Sequence, residues 1–241
     1  MNAFGDAVRS FKSNGALRTL QRGINRVLPE HIFTVNQIIA VEDSIADVIA
    51  GLGDRVPDAC YRQRWSTGED REALAWGGQS AQEVAAYYDH GGARAVITTK
   101  ADQMGSDKMV GYAWLMTKDW TSQGWMRVKL APNEVWGGFI FTAPEHRGKR
   151  ILAGVRQFSY PRLITEGYDK VLVFVSALNR SSLRAGGTPG RKYVGRIFYI
   201  RLLGLVIYRI GRKWGAGFWN QQRPYAFSYD MFDRKAPPPS R

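Results

Sequence analysis

The order of apolar and polar residues divides the chain into short strands and helices. Segments 33–41, 93–99 and 109–117 are rich in β-branched and aromatic residues, which predicts strands. A polar turn at 102–108 joins the last two and predicts a hairpin. Ser80, followed by amide and acidic residues, predicts the start of a helix that ends at the next pair of glycines.

The second half of the chain alternates strand and helix more regularly. The pattern predicts a strand at 135–142, a helix at 150–166, a strand at 170–177 and two strands at 193–203 and 205–210. The 170–177 segment is almost continuously apolar and β-branched, which is typical of a strand buried on both faces. Pro161 lies inside the helical pattern, so we expect it to kink or shorten that helix.

The chain divides into an arm, one domain and a tail. Residues 1–32 predict an amphipathic, basic helical arm, in which Arg18, Arg22 and Arg26 recur every fourth residue. Such an arm can lie on an anionic membrane surface or pack on its own domain or a second subunit, and we favour packing. Residues 33–213 predict a single domain. The 214–241 segment predicts an aromatic tail with a disordered, proline-rich end.

Charge is concentrated in one part of the sequence. The 241 residues carry a net charge of +13, and segment 147–213 holds 15 basic residues against 2 acidic ones. Such a field attracts polyanions, which include nucleic acid, anionic lipid, an acidic carrier protein and a phosphorylated cofactor. A solvated basic face without a specific partner is the alternative.

Composition excludes several classes of protein. A single cysteine, Cys60, excludes a disulfide framework, and the three histidines form no pair with metal-ligand spacing, so we expect no metal site. The uncharged run Val171–Leu178 is far shorter than the roughly 20 residues of a membrane-spanning helix. No apolar region resembling a signal peptide follows the N-terminal basic residues. We therefore expect a cytoplasmic protein, with the periphery of the inner membrane as an alternative.

The segment with the most chemical information is 140–151. It predicts a strand, Pro144, a basic loop that contains glycine, and then a helix. Backbone N–H groups at a helix N-terminus, together with Arg147, Lys149 and Arg150, suit a pyrophosphate. Pro144 can separate the strand from its neighbour and free backbone groups for an extended ligand. An ordinary basic strand-to-helix loop is the alternative.

Segment 142–149, Thr-Ala-Pro-Glu-His-Arg-Gly-Lys, resembles the acyl-CoA signature V-x-P-x-x-R-G-x-G-x-G/A of the GNAT (GCN5-related N-acetyltransferase) superfamily. The order of the following helix, apolar strand, Asn179-Arg180-Ser181-Ser182 and 193–203 strand also resembles this family. The resemblance covers about residues 93–210 and is most specific over 140–183. It implies an α+β, three-layer fold with a mixed, mostly antiparallel sheet of about seven strands, flanked by helices and splayed at the acyl-CoA site.

The resemblance also implies an activity and a set of binding residues. The activity is transfer of an acyl group, in the first place acetyl from acetyl-CoA, to a primary amine of a small molecule such as an amino sugar. No metal is required. The implied cosubstrate-binding residues are Ile140, Phe141, Thr142, Arg147, Gly148, Lys149, Arg150, Ile151, Leu152 and Asn179. Their backbone amides would pair with the pantetheine arm and the pyrophosphate, and Asn179 would lie beside the pantetheine or cap the next helix.

The attacking amine needs a general base, for which the sequence offers two carboxylates near the loop. Glu134 precedes the strand and Glu145 lies in the loop; a solvated carboxylate and a first-turn charge are their respective alternatives. The chain departs from the family pattern because Arg150 and Leu152 occupy glycine positions of the signature. The helix after Asn179 also lacks the tyrosine that many members use as an acid, so solvent would protonate the thiolate.

Two other functions remain open at this stage. One is a longer-chain acyltransferase supplied by acyl carrier protein, which the basic half would attract. The other is a non-catalytic GNAT-like module that binds an anionic surface such as a membrane. We do not expect nucleic acid as a partner, because no helix-turn-helix or RNA-binding signature is present. A homodimer is a further alternative.

Overall fold

The fold is described from a computed structural model of the chain, which describes residues 33–53, 57–77, 79–101, 107–122, 126–184, 189–218 and 225–228. The predicted arm at 1–32 lies outside these residues. The strands are β1 (Phe33–Ser44), β2 (Tyr61–Trp65), β3 (Ala93–Ala101), β4 (Asp107–Met116), β5 (Trp120–Ser122), β6 (Met126–Lys129), β7 (Glu134–Thr142), β8 (Lys170–Ser176), β9 (Arg191–Leu202), β10 (Leu205–Ile210), β11 (Lys213–Phe218) and β12 (Tyr225–Ser228). The helices are α1 (Ile45–Leu52), α2 (Arg71–Ala75), α3 (Ala81–Asp89), α4 (Ile151–Thr165) and α5 (Arg180–Arg184).

The main sheet has the strand order β11-β10-β9-β1-β8-β7-β4-β3-β2, and a small sheet has the order β12-β6-β5. In the main sheet β7 and β8 pair in parallel and the other neighbours pair antiparallel. The predicted mixed, mostly antiparallel sheet is confirmed, with nine strands instead of about seven. The additional strands include β2, where the polar Gln63 interrupts the apolar face between Tyr61 and Trp65, and β11, which begins at the predicted boundary of the tail.

Helices cover both faces of the sheet and create two cores. On one side, the α4 face, residues of α1 and α4 such as Val48 and Leu163 pack against Val171 and Val173 of β8. On the other side, the α3 face, residues of α2 and α3 pack with Leu172 and the strand aromatics. Because consecutive residues of a strand point to opposite faces, β8 is buried on both, as its continuous apolar sequence predicts.

Helix α4 continues through Pro161 to Thr165, so the expected shortening of this helix does not occur. The proline removes the N–H that would bond to the carbonyl of Gln157. Both residues are exposed, so water can satisfy that carbonyl. The predicted start of α3 is confirmed, because Ser80 and Glu83 form a reciprocal capping box.

Strand β1 takes a position that the sequence pattern does not reveal. It lies between β8 and β9, with Ile38 opposite Ser176 on one side and opposite Ile197 on the other. Strands β8 and β9 are consecutive in the chain but do not pair with each other. The N-terminal strand of the described part is therefore a central strand of the sheet.

A buried ion cluster connects β1, α4 and β9. Asp43 has no exposed surface, and its carboxylate accepts hydrogen bonds from Arg191 Nη2 and Tyr160 Oη, each at 2.8 Å. Arg156 Nη2 of α4 lies 3.2 Å from the same carboxylate. Burial alone would raise the pKa of Asp43, but the hydrogen bonds from Arg191 and the charge of Arg156 outweigh it and hold the pKa below its usual value. None of the helices in the described ranges is long and apolar enough to span a bilayer.

Candidate active site

The central feature is an opening between β7 and β8. Their parallel pairing runs from Glu134 opposite Lys170 to Gly137 opposite Val173 and then ends. Beyond that point β7 continues along β4 to Thr142, while β8 continues along β1. The two strands therefore diverge and leave a wedge, bounded by residues 138–142 of β7 and 174–176 of β8.

A β-bulge begins the wedge. Ala113 of β4 pairs with Ile140 and Leu115 pairs with Gly137, so Gly138 and Phe139 of β7 together oppose one residue of β4. A bulge bends the strand that carries it, which turns β7 away from β8 at the place where their pairing stops. Gly138 suits this position because a Cβ there would lie 2.9 Å from the Cε of Met116. The separation of β7 from β8 thus starts at the bulge. The sequence predicted that it starts at Pro144, several residues later.

The loop after β7 is held at both of its ends. A short turn at Pro144–His146 follows the strand, and His146 Nδ1 lies 3.0 Å from the hydroxyl of Tyr61 on β2. The side chain of Arg147 turns back, and its Nε donates to the carbonyl of Thr142 at 3.3 Å. The loop then enters α4 through Gly148, which has a φ of +77°.

Positive charge surrounds the N-terminus of α4. The first N–H groups of a helix have no intrahelical partner and point out of its end. Three exposed basic side chains, Arg147, Lys149 and Arg150, adjoin this end, and the first turn contains no acidic residue. Arg150 occupies a glycine position of the signature. Its φ of +58° is the left-handed conformation that favours glycine, so the backbone at this position keeps the glycine-like shape. This arrangement suits a pyrophosphate.

The walls of the wedge are largely aromatic. Phe139 is 39% exposed and Ile140 is 42% exposed, on opposite faces of β7. On the α3 face, Tyr112 packs against Phe139 and Phe141 with ring centroids 6.0 and 5.7 Å apart. Burial raises the pKa of Tyr112 well above its usual value, so its phenol remains protonated.

The closed end of the wedge is also aromatic. Trp136 of β7 lies beside Phe174 of β8, with ring centroids 6.1 Å apart. The indole N–H of Trp136 is buried and has no hydrogen-bond partner within the described part of the chain.

The structure brings most of the predicted binding residues together around this wedge. Ile140, Phe141 and Thr142 form the open edge of β7, and residues 147–152 form the loop and the start of α4. Asn179 follows β8 on the opposite side. Its Oδ1 accepts hydrogen bonds from the hydroxyl of Ser181 at 2.8 Å and the N–H of Ser182 at 3.1 Å, so it caps α5.

The two predicted bases lie at opposite ends of β7. Glu145 is exposed and lies in the loop at the phosphate end. Glu134 is buried at the closed end, where its carboxylate accepts the N–H of Ala131 at 2.9 Å. Neither lies beside the bulge at Gly138 and Phe139.

A buried carboxylate that the sequence pattern does not reveal lies on β1, which is separated from β7 by β8. Glu42 of β1 is opposite Leu172 of β8, which is in turn opposite Trp136 of β7. The three residues form one row on the α3 face, because Ala40 and Leu172 belong to the core on that side. Only the insertion of β1 beside β8 brings Glu42 here, and no local pattern predicts that pairing. The described residues contain no group of three potential metal ligands.

Comparison with known proteins yields matches to solved structures only. No family model and no curated protein matches the chain. A functionally unknown conserved protein from Staphylococcus epidermidis ATCC 12228 is similar over 77% of this chain and 66% of its own, with a TM-score of 0.50 and 8% identity. A tandem GNAT protein from the clavulanic acid biosynthesis pathway matches 70% of this chain and 54% of its own, with a TM-score of 0.47 and 18% identity.

A third similar structure is the GCN5-related glucosamine N-acetyltransferase region of a fungal multi-domain β-N-acetylglucosaminidase. It matches 75% of this chain and 22% of its own, with a TM-score of 0.44 and 15% identity. The chain thus spans less than two thirds of the length of each of these three proteins. At such identities the likeness concerns the fold alone. The mixed, mostly antiparallel sheet that opens between β7 and β8 agrees with the fold that the resemblance to the GNAT superfamily implies.

Proposed function

We propose that this protein is an acyl-CoA-dependent N-acyltransferase that transfers an acetyl group to a primary amine of a small molecule. The observation that carries this proposal is the wedge, which opens at the bulge of β7 and ends at the basic N-terminus of α4. In this proposal the pyrophosphate of the donor contacts the loop at 147–152. The pantetheine arm pairs with the open edge of β7, and the thioester lies at the bulge.

The reaction follows from this placement. The amine nitrogen attacks the thioester carbon and forms the new C–N bond, and the C–S bond breaks. The electron pair of that bond leaves with the CoA thiolate, which solvent protonates, while a base takes the proton of the amine. The buried N–H of Trp136 is a candidate donor to the thioester oxygen, where negative charge develops.

The acceptor has one open approach. Helix α4 packs over β2, β3 and β4 on its face of the sheet, so we place the acceptor on the α3 face. The mouth of the wedge on that side presents Trp76, which is 52% exposed and meets the ring of Phe141 edge-on at 5.3 Å, together with Phe139. Aromatic rings of this kind pack against the C–H face of a sugar ring, and this surface supports an amino sugar as the acceptor.

Donor binding is tested first, by calorimetry with CoA and acetyl-CoA. We expect both to bind, and we expect Arg147→Ala with Lys149→Ala to weaken binding by at least about tenfold, because two charge-assisted phosphate contacts are lost. Lys118→Ala with Lys129→Ala removes two exposed lysines elsewhere and serves as the control. Absence of binding at millimolar ligand would contradict the proposal. Turnover with an acyl group on acyl carrier protein, but not with acetyl-CoA, would show that the carrier protein and not CoA supplies the acyl group.

For the base we propose Glu42, which lies about two strand spacings, or roughly 10 Å, from the strand of Trp136 and can act through water. Glu42→Gln is expected to lower kcat about a hundredfold with little change in the KM for acetyl-CoA. Glu134→Gln and Glu145→Gln are measured in parallel. A larger loss of kcat in either of them would transfer the role to that carboxylate.

A further inference from the structure

The exposed apolar side chains of the described residues are not scattered. Nine large hydrophobic residues are exposed, of which Trp76, Phe139 and Ile140 line the wedge and Ile164 is isolated on α4. The other five cluster on β9, β10, β11 and their turns: Leu202 (46% exposed), Leu203 (74%), Ile207 (38%), Trp214 (61%) and Phe218 (74%). We name these five residues the apolar sheet end.

Register places four of the five on one face. Val206 and Ile210 of β10 are buried in the core of the α3 face, so Ile207 between them points to the opposite side. The pairs Leu205–Phe218 and Arg209–Trp214 place Phe218 and Trp214 on the side of Ile207. Leu202, opposite Leu205, lies on the same side. The core on this side of the sheet includes none of these residues, so the buried surface of α1 and α4 ends before reaching them.

The fifth residue, Leu203, is unsuited to its position by two independent criteria. Leu203 and Gly204 form the two-residue turn between β9 and β10, with φ values of +47° and +88°. Such turns favour asparagine or glycine at both positions, and a leucine there is strained. The same residue is 74% exposed, where a polar side chain would be favoured. Because neither the turn nor solvent exposure favours leucine here, we infer that Leu203 contacts a partner surface.

Charge surrounds this apolar surface. Segment 189–218 contains seven basic residues and no acidic one. Arg191 is held by Asp43 inside the protein, whereas Lys192, Arg196, Arg209, Arg212 and Lys213 are exposed. The guanidinium of Arg209 lies over the ring of Trp214, 5.6 Å from its centroid. The partner must therefore accept both apolar side chains and cations.

We propose that the apolar sheet end docks on the surface of a lipid bilayer with anionic headgroups. Leucine, tryptophan and phenylalanine beside arginine and lysine are the side chains that interfacial proteins insert at the boundary of acyl chains and headgroups. A nucleic acid would use the cations and can stack its bases on Trp214 and Phe218, but it would leave the aliphatic side chains of Leu202, Leu203 and Ile207 uncovered. A second copy of this chain would bring two surfaces of like charge together, which disfavours a symmetric dimer through this face.

The position of this surface in the sheet is consistent with docking. Strand β11 is an edge strand, and β10, β9 and β1 separate it from β8, so contact with a membrane leaves the wedge open. Phe33, where the described chain begins β1, is opposite Leu202. The 32 residues that precede Phe33 in the sequence contain five basic and two acidic residues.

The charge requirement is tested with the full chain by co-sedimentation with vesicles. We expect binding to mixed phosphatidylcholine and phosphatidylglycerol vesicles, weakened by salt, and little binding to phosphatidylcholine alone. Reversal of Arg209, Arg212 and Lys213 to Glu should lower the partition coefficient at least about a hundredfold. The control, reversal of Lys108, Lys118 and Lys129 to Glu, makes the same change in net charge away from this surface. Equal effects of the two triple variants would overturn the proposal.

The apolar requirement is tested by Leu203→Asn, which separates binding from stability. We expect a higher melting temperature, because asparagine tolerates the left-handed turn, together with about tenfold weaker vesicle binding, because an inserted leucine is lost. Unchanged vesicle binding in this variant would overturn the proposal. Two other results would also overturn it. One is a dimer, seen by analytical ultracentrifugation, that Leu203→Asn dissociates; the other is a nucleic-acid mobility shift that persists in Leu203→Asn.

Discussion

At the scale of the residue, Arg150 combines a strained backbone conformation with a positive charge beside the proposed donor site. Its φ of +58° is the conformation in which glycine carries no steric penalty. Arginine at this position instead adds a third cation next to the N-terminus of α4, where Gly148 already supplies one left-handed residue. The departure from the family signature therefore keeps the shape of the loop and changes its charge.

Arg150→Gly separates these two contributions. We expect the free energy of unfolding to rise by about 1 kcal/mol as the backbone strain is relieved, while CoA binds about tenfold more weakly because a phosphate contact is lost. Chemical denaturation and calorimetry measure the two effects. Arg150→Lys, which keeps both charge and strain, should change neither by more than a small fraction. A variant that loses stability would show that the arginine side chain supports the loop structurally.

At the scale of the element, the buried cluster around Asp43 determines how β1, α4 and β9 are held together. One carboxylate faces two guanidinium groups and one phenol in a region without solvent. Removal of the carboxylate would take this counter-ion from Arg156 and Arg191 in a largely buried site, where breaking such an ion pair costs about 3–5 kcal/mol. The same cluster holds α4, at whose N-terminus we propose the donor site, on the sheet.

This cluster predicts how stability depends on pH. The folded pKa of Asp43 lies below its unfolded value of about 4, so its contribution is complete above that pH and is lost as the pH falls through the folded pKa. We expect the melting temperature to decrease below about pH 4 more steeply in the parent protein than in Asp43→Asn. Asp70, whose pKa is also lowered by Arg64, accounts for part of the remaining slope. Parallel slopes in the two proteins would contradict the assignment.

At the scale of the whole molecule, the tertiary structure distributes the basic excess of segment 147–213 among different places. Arg147, Lys149 and Arg150 adjoin the wedge. Arg156 and Arg191 are internal and bind one carboxylate. The exposed cations of β9 to β11 form a third group at the far end of the sheet. The basic residues of this segment therefore form three separate groups, at the wedge, around Asp43 and at the far end of the sheet.

Local patterns in the sequence determined most of the elements and the chemistry of the loop. The capping box at Ser80, the doubly buried β8 and the strand–loop–helix around Arg147 depend on residues close together in the chain, and each was predictable for that reason. The cap made by Asn179 is of the same kind. The expected effect of Pro161 was wrong because the outcome depends on burial. The helix continues where water can reach the carbonyl of Gln157, and the sequence does not show which side of the helix is exposed.

Only the tertiary structure decided how these elements meet. The place of β1 between β8 and β9 brings Glu42 and Asp43 to the centre of the sheet, and strand pairing over such separations is not written in any local pattern. The bulge of β7 at Gly138 and Phe139 is defined by its pairing with β4, a strand from another part of the chain. The sequence therefore determined which residues can bind a phosphate, whereas packing between distant strands decided where the wedge opens and which apolar side chains remain uncovered.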